Sequence, residues 1–170
     1  MRQPKAYIAS PLGFSELGRH AYASLFKPLV ASAGFEILDP WELTSPSLID
    51  PVVRMPYGVQ KRKSWQRLNP LIARNNHEAI RQSHVVIAIL DGIDVDSGTA
   101  SEIGCAAALG KVVAGYRGDF RLSADNEGSL VNLQVEYFTT MRYKKIARTL
   151  DELKINLVEV RNILADELLM

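Results

Sequence analysis

A doubly wound α/β domain, with five parallel strands and helices on both faces of the sheet, is the fold class this 170-residue sequence predicts. Three observations lead to it. Val85–Leu90 is an unbroken aliphatic run without polar alternation, the pattern of a parallel strand buried on both faces. The run stops at the turn pair Asp91-Gly92. After a short acidic loop come small residues at helical spacing (Ala100, Ile103, Gly104, Ala107, Ala108), ending at Gly110. The chain also opens strand–helix–strand, for which a right-handed crossover and a parallel pair are the default. The implied architecture is single-domain, flavodoxin-like or Rossmann-like.

Taken in order, Ala6–Ser10 is a short β-prone run, the first strand, broken by Pro11, Leu12 and Gly13. Ser15 is a good N-cap for the next helix; Ala21, Leu25, Leu29 and Val30 form its apolar stripe, and Gly34 ends it. Phe35–Leu38 is the second strand, closed by Asp39-Pro40. From Trp41 to about Asn69, Pro46, Pro51, Pro56 and Gly58 predict irregular structure or short helical turns. Arg54, Lys61, Arg62, Lys63 and Arg67 make that stretch basic. Lacking regular spacing, they read as a solvated surface, the alternative being a phosphate or nucleic-acid site beside a ligand crevice.

Leu71–Ser83 is helical, with Leu71, Ile72, Ala79 and Ile80 apolar, and leads into the central strand. Val112–Tyr116 is a fourth strand, Arg117–Val131 a polar loop on the ligand side, and Leu133–Phe138 the fifth strand. An amphipathic helix over about 149–166 follows from the steps of four and three linking Ile146, Leu150, Leu153, Leu157, Val160 and Leu164. Thr149 and Glu152 offer it a capping box. Its stripe covers the sheet or meets another subunit.

A chain with 47% hydrophobic and 23% charged residues and a formal net charge of +1 is an ordinary globular one. That balance gives no general reason to expect nucleic acid or a membrane surface as partner. One cysteine, Cys105, excludes an intrachain disulfide framework and suits a reducing cytoplasm; among alanines on a helix it reads as buried filler. Met1–Lys5 runs straight into a strand, so no signal peptide is expected, and no apolar run approaches the roughly 20 residues that cross a bilayer. His20, His77 and His84 lack metal-ligand spacing, so neither a metal nor another cofactor is expected. No repeat or linker interrupts residues 1–170, which are expected to form one domain.

In such a sheet, with strand two beside strand one, strand three usually lies on the other side of strand one. Ligands then bind past the carboxyl ends of strands one and three, where the order reverses. The loops Ser10–Phe14 and Asp91–Gly98 would face each other there, making Ser10, Gly13, Phe14 and Gly98 candidate substrate contacts. Two carboxylates stand in the same place, Asp96 and Glu102. Glu102 is expected in the first turn of its helix, whose positive end stabilises an ionised carboxylate. An ionised glutamate in a dry crevice suits attack on an electrophilic carbon or stabilisation of a developing cation. Both belong to retaining, two-step cleavage of a sugar C–X bond. The alternative is that Thr99-Ala100-Ser101-Glu102 is a capping box, in which Glu102 only returns a hydrogen bond to the helix start. Tyr7, near the end of strand one, is either core or a hydroxyl that orients the glutamate. Asparagine is a mediocre helix former, so Asn75 and Asn76 invite a reason; one of them suits the edge of a heterocycle.

Four blocks carry a family resemblance: YIASPLGF at Tyr7–Phe14, ARNNHEAIRQSHVVIAIL at Ala73–Leu90, DSGTASEIGCAAALGK at Asp96–Lys111 and DNEGSLVNLQVEYF at Asp125–Phe138. They resemble the nucleoside 2-deoxyribosyltransferases and their relatives, the deoxynucleoside 5′-monophosphate N-glycosidases. The resemblance implies that Glu102 is the nucleophile that takes C1′ of a 2′-deoxyribonucleoside, that Tyr7 steadies it, and that Asp96 holds sugar hydroxyls. It implies that Asn132 reaches the sugar from a neighbouring subunit, hence a homo-oligomer with shared sites. Many members carry an aspartate, the proton donor to the leaving base, where this chain has Asn76. An amide cannot be a general acid, so Asn76 is expected to hydrogen-bond the base instead.

The leading expectation is transfer of 2-deoxyribose between nucleobases, with a small-molecule nucleoside or nucleotide and a free nucleobase as partners. Hydrolysis of a nucleoside or its 5′-monophosphate is the runner-up, and a nucleotide-sensing module without turnover the third reading. Asp96 argues against a phosphate near the 5′ side, because like charges repel strongly in low dielectric; the basic middle segment argues for one.

Overall fold

The computed structural model describes residues 3–122 and 124–167; Met1 and Arg2, and Ser123 within the loop expected at 117–131, lie outside the described residues. Five parallel strands form one sheet in the order β2-β1-β3-β4-β5. They are β1 (Lys5–Ala9), β2 (Glu36–Leu38), β3 (Val85–Ile89), β4 (Val112–Tyr116) and β5 (Ile146–Ala147). The order reverses between β1 and β3, as the doubly wound reading requires.

After β1 comes a 3₁₀ turn, Leu12–Phe14, and then α1 (Glu16–Ala21), a π turn (Tyr22–Phe26) and α2 (Lys27–Ser32), continuous in sequence. Ser15 caps α1 as predicted, its hydroxyl accepting from the Gly18 N–H at 3.0 Å, and Gly34 ends the run at φ +92°. The buried stripe is Tyr22, Phe26, Val30 and Ala33, and Leu25 is left exposed. A π turn holds more residues than an α turn, which moves the inward face relative to a strict 3.6-residue period.

The expectation of irregular structure or short helical turns over 41–69 is corrected: the stretch is mostly regular helix. α3 (Pro46–Arg54) and α4 (Val59–Gln82) occupy most of it, and the helix expected at Leu71–Ser83 is the second half of α4. Pro46 stands at the start of α3, where its missing N–H costs nothing. Pro51 and Pro70 lie inside helices, each removing one rung of the ladder, which a 24-residue helix such as α4 tolerates. Lys61 donates to the Val53 and Met55 carbonyls at 2.7 and 3.1 Å, closing the end of α3, while Arg62, Lys63 and Arg67 are exposed.

The second correction concerns Leu133–Phe138, which is not a strand but most of α6 (Leu133–Thr140). Asn132 caps it, its Oδ1 accepting from the N–H groups of Gln134 and Val135 at 3.0 and 3.3 Å. Alternating Leu133, Val135 and Tyr137 imitate a strand, yet Leu133 and Tyr137 are exposed while Val135 and Phe138 pack inward at helical spacing. The fifth strand is instead the two-residue β5, paired with Gly115 and Tyr116.

The pleat divides the strand residues between two cores, because successive side chains point to opposite faces. Ala6, Ile8, Val85, Ile87 and Ala114 pack with α2 and with Leu153, Leu157, Val160 and Leu164 of α7 (Leu150–Glu167). The C-terminal stripe therefore covers the sheet. Tyr7, Ala9, Val86, Ala88 and Val113 pack on the other face with Ala79 and Ile80 of α4 and with Ile103 and Ala106 of α5 (Ser97–Ala108). Among the described residues no helix is long and apolar enough to cross a membrane.

Candidate active site

The residues singled out in α5 meet β1 at the switch point. Asp96 is the N-cap of α5, its Oδ2 accepting from the Thr99 N–H at 2.9 Å and from the Thr99 hydroxyl at 3.3 Å. Glu102 therefore stands in the second turn, not the first. It is neither the acid of a capping box nor at the positive mouth of the helix. Its partner lies across the sheet: the Tyr7 hydroxyl donates to Glu102 Oε1 at 2.5 Å. The pleat that places Tyr7 among the α4–α5 core residues aims its ring at this point, and the ring is fully buried.

This corrects the electrostatics expected from the sequence. Burial pushes the Glu102 carboxyl up to about 7; the Tyr7 hydrogen bond pulls it back down, and the charge of Asp96 pushes it up. Tyr7 itself is held well above its ordinary range by burial first, then by the Glu102 charge and the bond between them. The phenol thus remains a donor whatever the state of the carboxyl.

Glu102 borders a cavity of about 520 Å³, and Tyr7 reaches Glu102 from the buried core behind. Ser10, Phe14, Asn76, Asp96, Gly98 and Glu102, all expected here, line it. Its other wall is aromatic and aliphatic, with Trp41, Ile49, Trp65 and Ile72 besides Thr44 and Thr99. None of the described residues lining it is Lys, Arg or His, so the stretch 41–69 lends the cavity aromatic and aliphatic side chains and none of its basic ones.

Gly13 is not in the lining but behind it. A Cβ there would fall 2.0 Å from the Trp41 indole, so only glycine lets Trp41 lie flat over the turn and meet Phe14 edge-on, centroids 5.0 Å apart. Asp39, at the end of β2, accepts from the Trp41 N–H at 3.0 Å and from the Tyr22 hydroxyl at 2.9 Å, and pairs with Lys27 at 2.7 Å. Of the two asparagines, Asn75 is structural, its amide donating to Thr44 Oγ1 at 2.9 Å and to the Leu43 carbonyl. Asn76 faces the cavity, and its Oδ1 is buried without a hydrogen-bond partner. Asn132 is not brought into this cavity; it caps α6.

Sequence reasoning missed Trp41, Trp65 and Thr44, all in the stretch read as irregular; that the chain's two tryptophans both fall there was the available signal. It also missed Arg117, buried directly after β4. Its guanidinium donates to the carbonyls of Leu90, Gly92 and Arg121, tying the loop after β3 to the loop after β4. A cation following an apolar strand was the clue.

A family model, nucleoside 2-deoxyribosyltransferase, matches residues 6–134. The fold is shared with a conserved protein of Enterococcus faecalis (TM-score 0.68, 22% identity, 92% of this chain and 98% of that one). It is also shared with a 2-deoxyribosyltransferase of Leishmania mexicana (TM-score 0.62, 24% identity, 92% and 97%). A CMP N-glycosidase of Clostridium botulinum matches with a TM-score of 0.52 and 18% identity over 90% and 96% of the two chains. At these identities the likeness is one of fold. No curated protein sequence matches the chain.

Proposed function

Because this chain belongs to the nucleoside 2-deoxyribosyltransferase family, we propose that it moves 2-deoxyribose from one nucleobase to another through a covalent ester on Glu102. The observation that carries this reading is the 2.5 Å bond from Tyr7 to Glu102 at the edge of a cavity large enough for a nucleoside. The ionised Glu102 attacks C1′ as the base departs. A second base then attacks the ester, re-forms the N-glycosidic bond and frees the carboxylate, so configuration is retained overall. Tyr7 holds the carboxylate in one rotamer and steadies its charge. Asp96 reaches sugar hydroxyls, the two tryptophans and Phe14 pack on the base, and Ser10 and Gly98 border the sugar. Two carboxylates and no cation in the lining favour an uncharged nucleoside over a 5′-monophosphate.

The same reading assigns Asn132 to the site of an adjacent copy, in a homo-oligomer. Leu133 and Tyr137, exposed on α6, and Met141, exposed just past its end, support this.

The test is incubation with a 2′-deoxynucleoside, with and without a second free base, followed by chromatography. Exchange that needs the second base is the expected result; free base released without it makes the protein a hydrolase. Glu102→Ala should abolish either activity, and a mass increment of one deoxyribosyl group should appear on the Glu102 peptide of the wild type. Full turnover by Glu102→Ala would remove the mechanism.

A further inference from the structure

We infer that this site breaks the bond to the base without giving the base a proton, so that its substrates are 2′-deoxynucleosides whose bases leave readily unaided. The inference rests on the function proposed above and names the substrate class of the same cavity.

The cavity has two ends. Asp96 and Glu102 come from α5, while Trp65, Ile72 and Asn76 come from α4 and Trp41 from the loop after β2. Attack by Glu102 requires C1′ at the carboxylate end, which turns the base toward the indoles. The polar side chains there are Thr44 and Asn76, and neither a hydroxyl nor an amide gives up a proton near neutrality. At the other end Glu102 must itself be ionised to attack. Asp96 is held as an acceptor by the N–H and hydroxyl of Thr99, and the Tyr7 hydroxyl keeps its proton and donates to Glu102. No lysine, arginine or histidine lines the cavity among the described residues.

What stands where an acid would be is an amide with a buried, unpartnered Oδ1. Asn76 accepts from an N–H on the base or, with the amide turned, donates an N–H to the nitrogen that gathers charge. Either contact orients the base and the second stabilises it, but neither protonates it.

The step balances without an acid. Glu102 forms the ester bond to C1′ as the C1′–N bond breaks, its electron pair staying on the base nitrogen. The base departs as an anion that takes a proton from water, or as a neutral molecule if its ring was already protonated or alkylated. In the return step the lone pair of the incoming base attacks C1′, Glu102 leaves as carboxylate, and the base loses its proton to water. A missing general acid forgoes on the order of 10²–10⁴-fold in rate, a loss smallest for bases that carry negative charge well.

The experiment measures single-turnover base release by the intact protein about one pH unit above 7, where Glu102 is ionised. Two pairs of substrates are compared, corrected for spontaneous loss: 5-fluoro-2′-deoxyuridine against 2′-deoxyuridine, and 7-methyl-2′-deoxyguanosine against 2′-deoxyguanosine. The better leaving group is expected to react faster by roughly tenfold or more in at least one pair. Asn76→Asp, which introduces an acid, should shrink that ratio to about threefold and add a fall in rate at high pH. Ratios near unity in both pairs, with base release intact, overturn this inference alone. No base release from any of the four overturns the proposed function and this inference with it.

Discussion

The Tyr7 hydroxyl meets Glu102 Oε1 at 2.5 Å, joining two residues 95 positions apart through β1 and α5. Two opposed effects converge on that carboxyl. Burial raises its proton affinity and the tyrosine lowers it, and burial wins. Glu102 is therefore poised near neutrality, where a small change in environment decides whether it carries a charge.

The first consequence is a pH profile. In the proposed mechanism the attacking form is the carboxylate, so kcat/KM for a 2′-deoxynucleoside should be flat above about 7 and fall about tenfold per pH unit below it. Tyr7→Phe removes the one contact that lowers the Glu102 value, so the falling limb should move to higher pH. The plateau should drop about 10- to 100-fold, the worth of a hydrogen bond to a charged group. A limb that stays in place would separate Tyr7 from the carboxyl.

Stability should carry the same signature with the opposite sense. Glu102 has a folded value raised from 4.5 to about 7, so between those pH values the folded chain holds a proton the unfolded chain releases. Stability from this group is therefore full below 4.5, lost as pH rises through 7, and level beyond. Glu102→Gln has no such window. Denaturant unfolding across that range should show the variant gaining roughly 1–3 kcal/mol on the wild type as pH rises.

Gly13→Ala should act through Trp41. The added Cβ meets the indole at 2.0 Å, so the ring must leave its place over the turn. A cost of about 1–3 kcal/mol in stability is expected, with a raised KM and a shift in tryptophan emission. An unchanged emission spectrum would count against this account of the wall.

Arg117→Met should loosen the loops without touching the cavity. Removing the guanidinium deprives the Leu90, Gly92 and Arg121 carbonyls of donors at a buried site, at a cost of roughly 2–4 kcal/mol. Hydrogen exchange over residues 91–96 should speed up more than exchange in α7.

The sheet order, the cap at Ser15, the C-terminal helix and the Tyr7–Glu102–Asp96 group were legible because each rests on local chemistry or on the turn of the chain at the sheet's reversal. Helix α3 and the first half of α4 were not, because proline reports only a missing N–H. Whether a helix absorbs that loss depends on tertiary packing, such as the burial of Leu68 on the inward side of α4. β5 was invisible for another reason: two residues pair with β4 by virtue of where the chain passes, and no periodicity can be seen in two. The charge state of Glu102 went wrong by three residues of helix. With Asp96 rather than Thr99 at the cap, the dipole falls short of the carboxyl and burial decides.

Pro70 lies between Trp65 on one side and Ile72 and Asn76 on the other, along a single helix. The absent rung makes that point the softest joint of an otherwise stiff strut. A slight bend there would swing the Trp65 indole relative to the Asn76 amide with every side chain unchanged. On the function proposed above, the span offered to a base is set by the main chain as much as by the side chains, like the jaws of a caliper. A change at Pro70 is expected to retune which bases fit without altering any lining group.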